Sequence, residues 1–276
     1  MNCACFRVQT GVYFNKLRRI AFRERSWRFI IFAVIISFAV AAVVGEDMFT
    51  TYESTKSGFF SFTSAAIWIG VFNSVQCVCR EHEIIRSEYR SGAMLTAYIT
   101  ANALWQFVIC FIQTCIIFGA SLIFVDYSGE GVLLPALTEY FITLLILTFG
   151  ADMLGLTISC AAPDPTAAMT VMPFVLIVQL IMGGVLFDLS GWSRAVSFLT
   201  FSKWGMNAFG ATADFNNERF PLRLSQAFPN VTRLSSESCY EHTGANLLTS
   251  WGACLLLTAA CYFLCIGILR TRYRGR

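Results

Sequence analysis

Histidine and lysine are almost missing from this sequence. Two histidines, His82 and His242, and three lysines, Lys16, Lys56 and Lys203, occur in 276 residues. The stretch HEIIR at 82–86 begins like a zinc-protease motif but lacks its second histidine, which argues against that hydrolase class. No lysine follows glycine, since Asn15, Thr55 and Ser202 precede the three, so the phosphate-cradling Gly-Lys step of a P-loop is absent. No G-x-S-x-G nucleophile elbow is present either. Charge is scarce. Asp, Glu, Lys and Arg make up 13% of the chain, about half the share of an average soluble domain.

Apolar sequence fills the space that charge leaves. Hydrophobic types reach 56% and mean hydropathy is +0.62, a membrane composition rather than a large soluble core. Six runs are long enough to cross a bilayer, at about 20 residues per crossing: 29–44, 59–79, 93–125, 132–161, 166–189 and 246–269. The third and fourth are long enough to tilt or project. The segments between them alternate in charge. Residues 1–28, 80–92 and the tail after 269 hold 14 of the 20 lysines and arginines. The positive-inside rule then predicts six spans, with both termini and 80–92 in the cytoplasm. The expected fold is an all-α membrane protein without a signal peptide.

Of eleven cysteines, Cys77, Cys79, Cys110, Cys115, Cys160, Cys254, Cys261 and Cys265 fall in or beside spans, where they act as small apolar residues. Cys3 and Cys5 are on the inside. Cys239 alone lies in an outer loop, which leaves it a free thiol or a bridge to a second copy. No metal site is expected, and no nucleic-acid partner.

Residues 6–25 read as an amphipathic helix. Phe6, Thr10, Tyr13, Phe14, Leu17 and Ile20 recur at helical spacing among Arg7, Arg18, Arg19, Arg23 and Arg25, which predicts a helix in the membrane interface with its apolar side down. Asp164 and Pro165 in AAPDPTAAM are an N-cap and first-turn pair. Pro173 should kink the fifth span, and Gly183–Gly184 allow close approach or unwinding near its end. Residues 190–245 predict one or two short helices dipping into the outer leaflet, followed by a glycosylation-like NVT at 230–232. Two carboxylates sit at membrane depth, Glu139 near an outer end and Asp152 deeper; such groups are rare and often functional.

The segment REHEIIRSEYRSG, residues 80–92, interrupts the apolar pattern with dense charge of both signs. Ile84, Ile85 and Tyr89 give it an apolar edge, and Glu83 and Arg86 are spaced to pair along one helix. That pattern suits docking on a soluble partner.

In context it resembles the membrane domain of ABCG-type ATP-binding-cassette exporters, the type-2 permease fold. Glu81, the apolar pair Ile84–Ile85, Glu88, Gly92 and Tyr98 stand where that family has an acidic start, an apolar pair, an Arg-Glu step and a glycine opening the third span. Ser87 replaces the family's arginine, Trp105 or a neighbour its proline, and Trp204 its tyrosine or a neighbour. GLTISCAAPDPTAA and GGVLFDLSGWSRAVSFLTFSKWGMNAFGATADFNNE are similar to the family's later segments. The likeness runs over nearly the whole chain.

It implies a permease subunit or domain exporting lipid-like or amphipathic substrates across the plasma membrane. ATP and Mg would sit on a partner ATPase domain and not on this chain, which would not itself be an enzyme. A second copy or similar chain would complete the pore. The resemblance divides the chain into a connecting helix at 1–28 and a membrane domain at 29–276. It places Arg80, Glu81, Glu83, Arg86, Glu88 and Gly92 at the ATPase contact. It places Phe62, Trp68, Ile69, Phe72, Asn73, Ile177, Leu180 and Ile181 around a substrate cavity, and Val185 and Leu186 at an apolar gate. The rival readings are a secondary transporter or channel working through Asp152, and a membrane scaffold that transports nothing.

Overall fold

The computed structural model describes residues 3–23, 27–45, 47–127, 130–187, 190–216 and 237–274. The NVT segment and much of 190–245 lie outside these residues. All regular structure among the described residues is helical. In chain order the helices are α1 (Cys3–Arg23), α2 (Trp27–Gly45), α3 (Tyr52–Ser74), α4 (His82–Arg90), α5 (Leu95–Phe124), α6 (Ala136–Ala161), α7 (Pro165–Ile181), α8 (Trp192–Ser197), α9 (Phe201–Thr212) and α10 (Gly244–Arg274).

Among the described residues four helical segments are long and apolar enough to cross a membrane: Tyr52–Arg90, Leu95–Phe124, Ala136–Ala161 and Gly244–Arg274. The apolar helices Ile30–Gly45 and Pro165–Ile181 are shorter. At ~1.5 Å per residue α5 is ~45 Å long, more than a ~30 Å hydrocarbon core requires.

Local chemistry sets several boundaries. α3 starts earlier than its apolar run because Thr51 and Ser54 form a reciprocal capping box. Thr51 Oγ1 accepts from the Ser54 amide at 3.2 Å, and Ser54 Oγ accepts from the Thr51 amide at 3.1 Å. α7 begins as the sequence indicates, with Asp164 Oδ1 accepting the Ala167 amide at 2.8 Å and Pro165 in the first turn. The same helix runs through Pro173 and stops at Ile181, short of the apolar run to 189. Gly184 has φ +72°, and a side chain on Gly183 would strike Ser202 Oγ. Both glycines are needed where the chain turns tightly against α9.

α3 and α6 form the central pair. Small residues let them approach: a Cβ on Gly155 would lie 2.6 Å from both Ser74 Oγ and the Val71 carbonyl, and one on Gly70 would overlap the Thr148 carbonyl. α10 lies against α6, α2 against α5, and α9 is wedged between α10, α6 and α3. Nearly all of α9 is buried, so it belongs to the bundle core. An aromatic cluster fills the end of the bundle near α9. Phe59 stacks on Phe209 at 4.9 Å and touches Tyr140 at 5.2 Å, and Phe215 meets Tyr240 at 5.1 Å.

The apolar stripe of α1 packs against the chain's own core. Tyr13 is buried, and Phe6, Phe14 and Leu17 are packed in the same core as Ile85, Tyr98 and Leu269. Phe14 meets Trp105 of α5 edge-on at 5.7 Å. The periodicity marks an apolar face, but α5 supplies the partner that lipid was expected to supply.

Candidate functional site

The charged helix α4 is fastened to the bundle from both sides. On one side Glu88 accepts from the Tyr13 hydroxyl at 3.0 Å and from Lys16 Nζ at 3.3 Å. Lys16 also lies 3.8 Å from Glu81 Oε2, which accepts the Tyr98 hydroxyl at 3.2 Å. The Tyr13 and Tyr98 rings meet edge-on at 5.4 Å. Gln9 Oε1 accepts the Met94 amide at 2.9 Å, so α1 also caps the start of α5. Burial, then the hydrogen bond to Glu88 and the charges of Glu88 and Glu81, push the Tyr13 phenol well above its ordinary value. It therefore remains a donor at any ordinary pH.

On the other side His82 reaches the ends of α6 and α10. Its Nδ1 lies 2.7 Å from the Tyr273 hydroxyl and its Nε2 2.9 Å from the Ala162 carbonyl. Arg272 donates to the carbonyls of Cys160 at 3.1 Å and Ala162 at 2.8 Å. These carbonyls end α6 and have no partner in their own helix, so the guanidinium satisfies them.

The expected contact residues of α4 therefore divide. Glu81 and Glu88 are held within the chain by Lys16, Tyr13 and Tyr98, with side chains 17% and 34% exposed. Arg80 and Glu83 are exposed, as are Ile84, Ser87 and Arg90, and together they make one outer stripe. Arg86 is half-buried. Gly92 ends the helix. With φ +94° it sits in a Schellman turn, where the Gly92 amide bonds Tyr89 O and the Ala93 amide bonds Glu88 O. Its role is conformational.

The proposed cavity residues divide in the same way. Phe62, Ile69 and Asn73 are 2%, 5% and 8% exposed and face into the chain's own core. Asn73 exchanges two side-chain hydrogen bonds with Gln113 of α5, at 2.6 and 3.0 Å. In this conformation all three pack within the chain's own core. Trp68 is exposed, and Phe72, in ring contact with it at 6.1 Å, is half-buried. The outward stripe of α3 is thus Phe60, Ser64, Trp68 and Phe72, one position off the expected face.

On α7, Ile177 is exposed while Leu180 and Ile181 are half-buried. Val171, Phe174 and Val178 share the exposed side. α7 has the least extensive packing of the long helices. Val185 is packed against the core and Leu186 is exposed. Gln179 turns inward, and its Oε1 accepts the Ser202 amide at the start of α9 at 3.3 Å.

The two carboxylates in α6 differ. Glu139 Oε1 accepts the Leu133 and Leu134 amides at 2.6 and 2.9 Å, a structural use that holds the preceding loop. Asp152 is fully buried, and neither carboxylate oxygen has a hydrogen-bond partner among the described residues.

A second charged cluster, missed by the sequence reading, lies at the opposite end. Glu237 Oε1 accepts from Lys56 Nζ at 2.9 Å and from the Tyr52 hydroxyl at 2.6 Å. Asn216 grips the Glu237 backbone with two further bonds of 2.9 and 3.0 Å. Cys239 is a half-buried free thiol, 3.7 Å from Glu237 Oε2. Burial first, then the Glu237 charge, pushes that thiol up to about 11. No sequence motif announces this cluster, because its members are brought together only by folding.

The profile of the ABC-2 type transporter family matches residues 11–212, which spans α1 to α9. Over 215 residues the chain is 23% identical to an ABC transporter ATP-binding/permease protein of Mycobacterium tuberculosis, covering 76% of this chain and 23% of that protein. The chain thus spans about a quarter of the length of this curated relative. With its apolar helices and a family profile over most of its length, this chain is a membrane protein that belongs to the ABC-2 type transporter family.

Proposed function

We propose that this chain is the permease component of an ATP-driven exporter of lipid-like or amphipathic molecules in the plasma membrane. In this reading it has six spans and cytoplasmic termini. An ABC ATPase domain, in a separate chain or the same polypeptide, docks on α4 and supplies the energy. A second copy, or a similar chain, faces the exposed sides of α3 and α7. The curated relative, whose name joins ATP binding to a permease, supports that division of labour.

The observation that carries the coupling role is the anchoring of α4. Tyr13 and Lys16 hold one side of it, His82 the other, and its outer stripe stays exposed. A push on Arg80, Glu83, Ile84 or Ser87 would move α1, α6 and α10 together. The substrate would pass between copies along Trp68, Phe72 and Ile177, below an apolar constriction at Val185 and Leu186 that closes by excluding water.

The test is reconstitution with a cognate ATPase. Ile84→Glu should lower substrate-stimulated ATP turnover about ten-fold or more while the chain still elutes as a folded species. Unchanged stimulation would remove α4 from the coupling role. Cysteines placed at Ile177 and Trp68 should crosslink between copies, and a monomeric product under all conditions would sink the paired arrangement.

Asp152 favours the second reading, proton-coupled carriage, because its carboxyl is buried with no hydrogen-bond partner among the described residues. Asp152→Asn separates the two. It should leave ATP-driven transport within about two-fold, and would abolish transport if that carboxyl carried the proton.

A further inference from the structure

The end of α1 carries chemistry that the coupling arrangement leaves unused. Arg18, Arg19, Phe22 and Arg23 line an open hollow of about 660 Å³. All four side chains are exposed, Phe22 by 79%. Lys16, at the near end of this stretch, is neutralised by Glu81 and Glu88. The three arginines make no ion pair among the described residues, and residues 3–23 contain no acid; Glu24, next in sequence, lies outside the described residues.

Position decides what could meet this charge. The apolar stripe of α1 is docked on α5; of the side that stays open, Val8 and Val12 occupy the first half and the arginines the end. α2 begins at Trp27, directly beyond, and is apolar throughout its later turns. With α2 as the first of the six proposed spans, the hollow lies where the chain enters the membrane. Guanidinium groups bind phosphate through paired hydrogen bonds, and Arg does so with better geometry than Lys. A free anion in water would have no use for an exposed phenyl ring beside it. A phospholipid would, because Phe22 can enter the acyl boundary while the arginines hold the headgroup.

We infer that Arg18, Arg19, Phe22 and Arg23 form a binding site for the headgroup of an anionic phospholipid in the leaflet that α2 enters. Such a lipid would fix the end of α1 against the bilayer, and through Tyr13 and Lys16 would steady α4. The inference holds whether or not the chain moves a substrate.

The full chain in nanodiscs of equal phosphatidylglycerol and phosphatidylcholine provides the test, with retained lipids counted by native mass spectrometry after mild delipidation. Phosphatidylglycerol should be retained several-fold over phosphatidylcholine, each arginine contributing roughly five-fold at most. R18Q/R19Q/R23Q should bring the ratio close to one, and each single Gln variant should lower it in part. Arg→Lys at all three should keep part of the preference, and Phe22→Ala should weaken it. Millimolar inorganic phosphate should not compete. Equal retention of the two lipids by the unaltered chain would overturn the site, as would an unchanged ratio in the single and triple Gln variants. Displacement by inorganic phosphate would overturn the lipid assignment.

Discussion

Tyr13 donates its hydroxyl hydrogen to Glu88 Oε2 across 3.0 Å, joining α1 to α4 over 75 residues of sequence. The bond is half-buried, and Lys16 completes it from the next turn of α1. Two helices that look like separate peripheral elements in the sequence therefore act as one unit.

Tyr13→Phe should cost about 1–2 kcal/mol, the usual worth of a hydrogen bond to a charged group reduced for partial exposure. Combined with Glu88→Gln in a double-mutant cycle followed by thermal unfolding, it should give a coupling energy of about 1 kcal/mol. Additive effects of the two substitutions would show that the contact does not hold α1 in place. Glu88→Arg should go further and open α1 to limited proteolysis, by setting a second cation beside Lys16.

The Glu237 cluster predicts a pH dependence with a definite sign. Burial acts to raise the Glu237 carboxyl, but the hydrogen bonds from Lys56 and Tyr52 and the Lys56 charge outweigh it, so the net shift is downward. A carboxyl lowered by folding stabilises above its unfolded value, and that gain disappears as pH falls through the folded value. The melting temperature should be flat from pH 7 to about 5 and fall below about 4. Glu237→Gln should lower it at pH 7 and shrink the acid-dependent fall. A variant with the same acid-dependent fall as the unaltered chain would place the titration elsewhere.

Cys239 should react slowly. With its thiol pushed up to about 11, little thiolate exists near neutrality. In a variant that keeps only this cysteine, maleimide labelling should be slow at pH 7.5 and accelerate about ten-fold per pH unit up to that value. Fast labelling at pH 7.5 would mean that the thiol is more open than its half-buried position beside Glu237 indicates.

Gly155→Leu should separate the central helices. A side chain there meets Ser74 Oγ and the Val71 carbonyl at 2.6 Å, and the carbonyl cannot move without displacing α3. Overpacking of this kind typically costs about 1–3 kcal/mol. Gly155→Ala should cost less, and Gly119→Ala, where nothing lies within 4 Å, should be close to neutral. Comparable melting temperatures for Gly155→Leu and Gly119→Ala would contradict the close approach.

The sequence alone determined the membrane class, because apolar runs of spanning length with little charge cannot form any other structure at this composition. It also determined the start of α7, where Asp164 and Pro165 act on their own backbone, and the existence of α1 and α4, whose periodicity is local. The partner of each face was decided by the tertiary structure. The α1 stripe reads equally well as lipid-facing or protein-facing, since both environments are apolar, and only the packing of α5 chose between them. That Lys16 and Tyr13 bind Glu81 and Glu88 could not be read from the segment 80–92, because those partners lie far away in the chain. On α3 a rotation by one residue moves the exposed stripe by ~100°, enough to turn Phe62, Ile69 and Asn73 inward and leave Trp68 outward. Apolar periodicity could not fix that angle, because in a bilayer both faces of a spanning helix are greasy. Gly70, Gly150 and Gly155 fixed it instead, by setting where α3, α6 and α9 can touch.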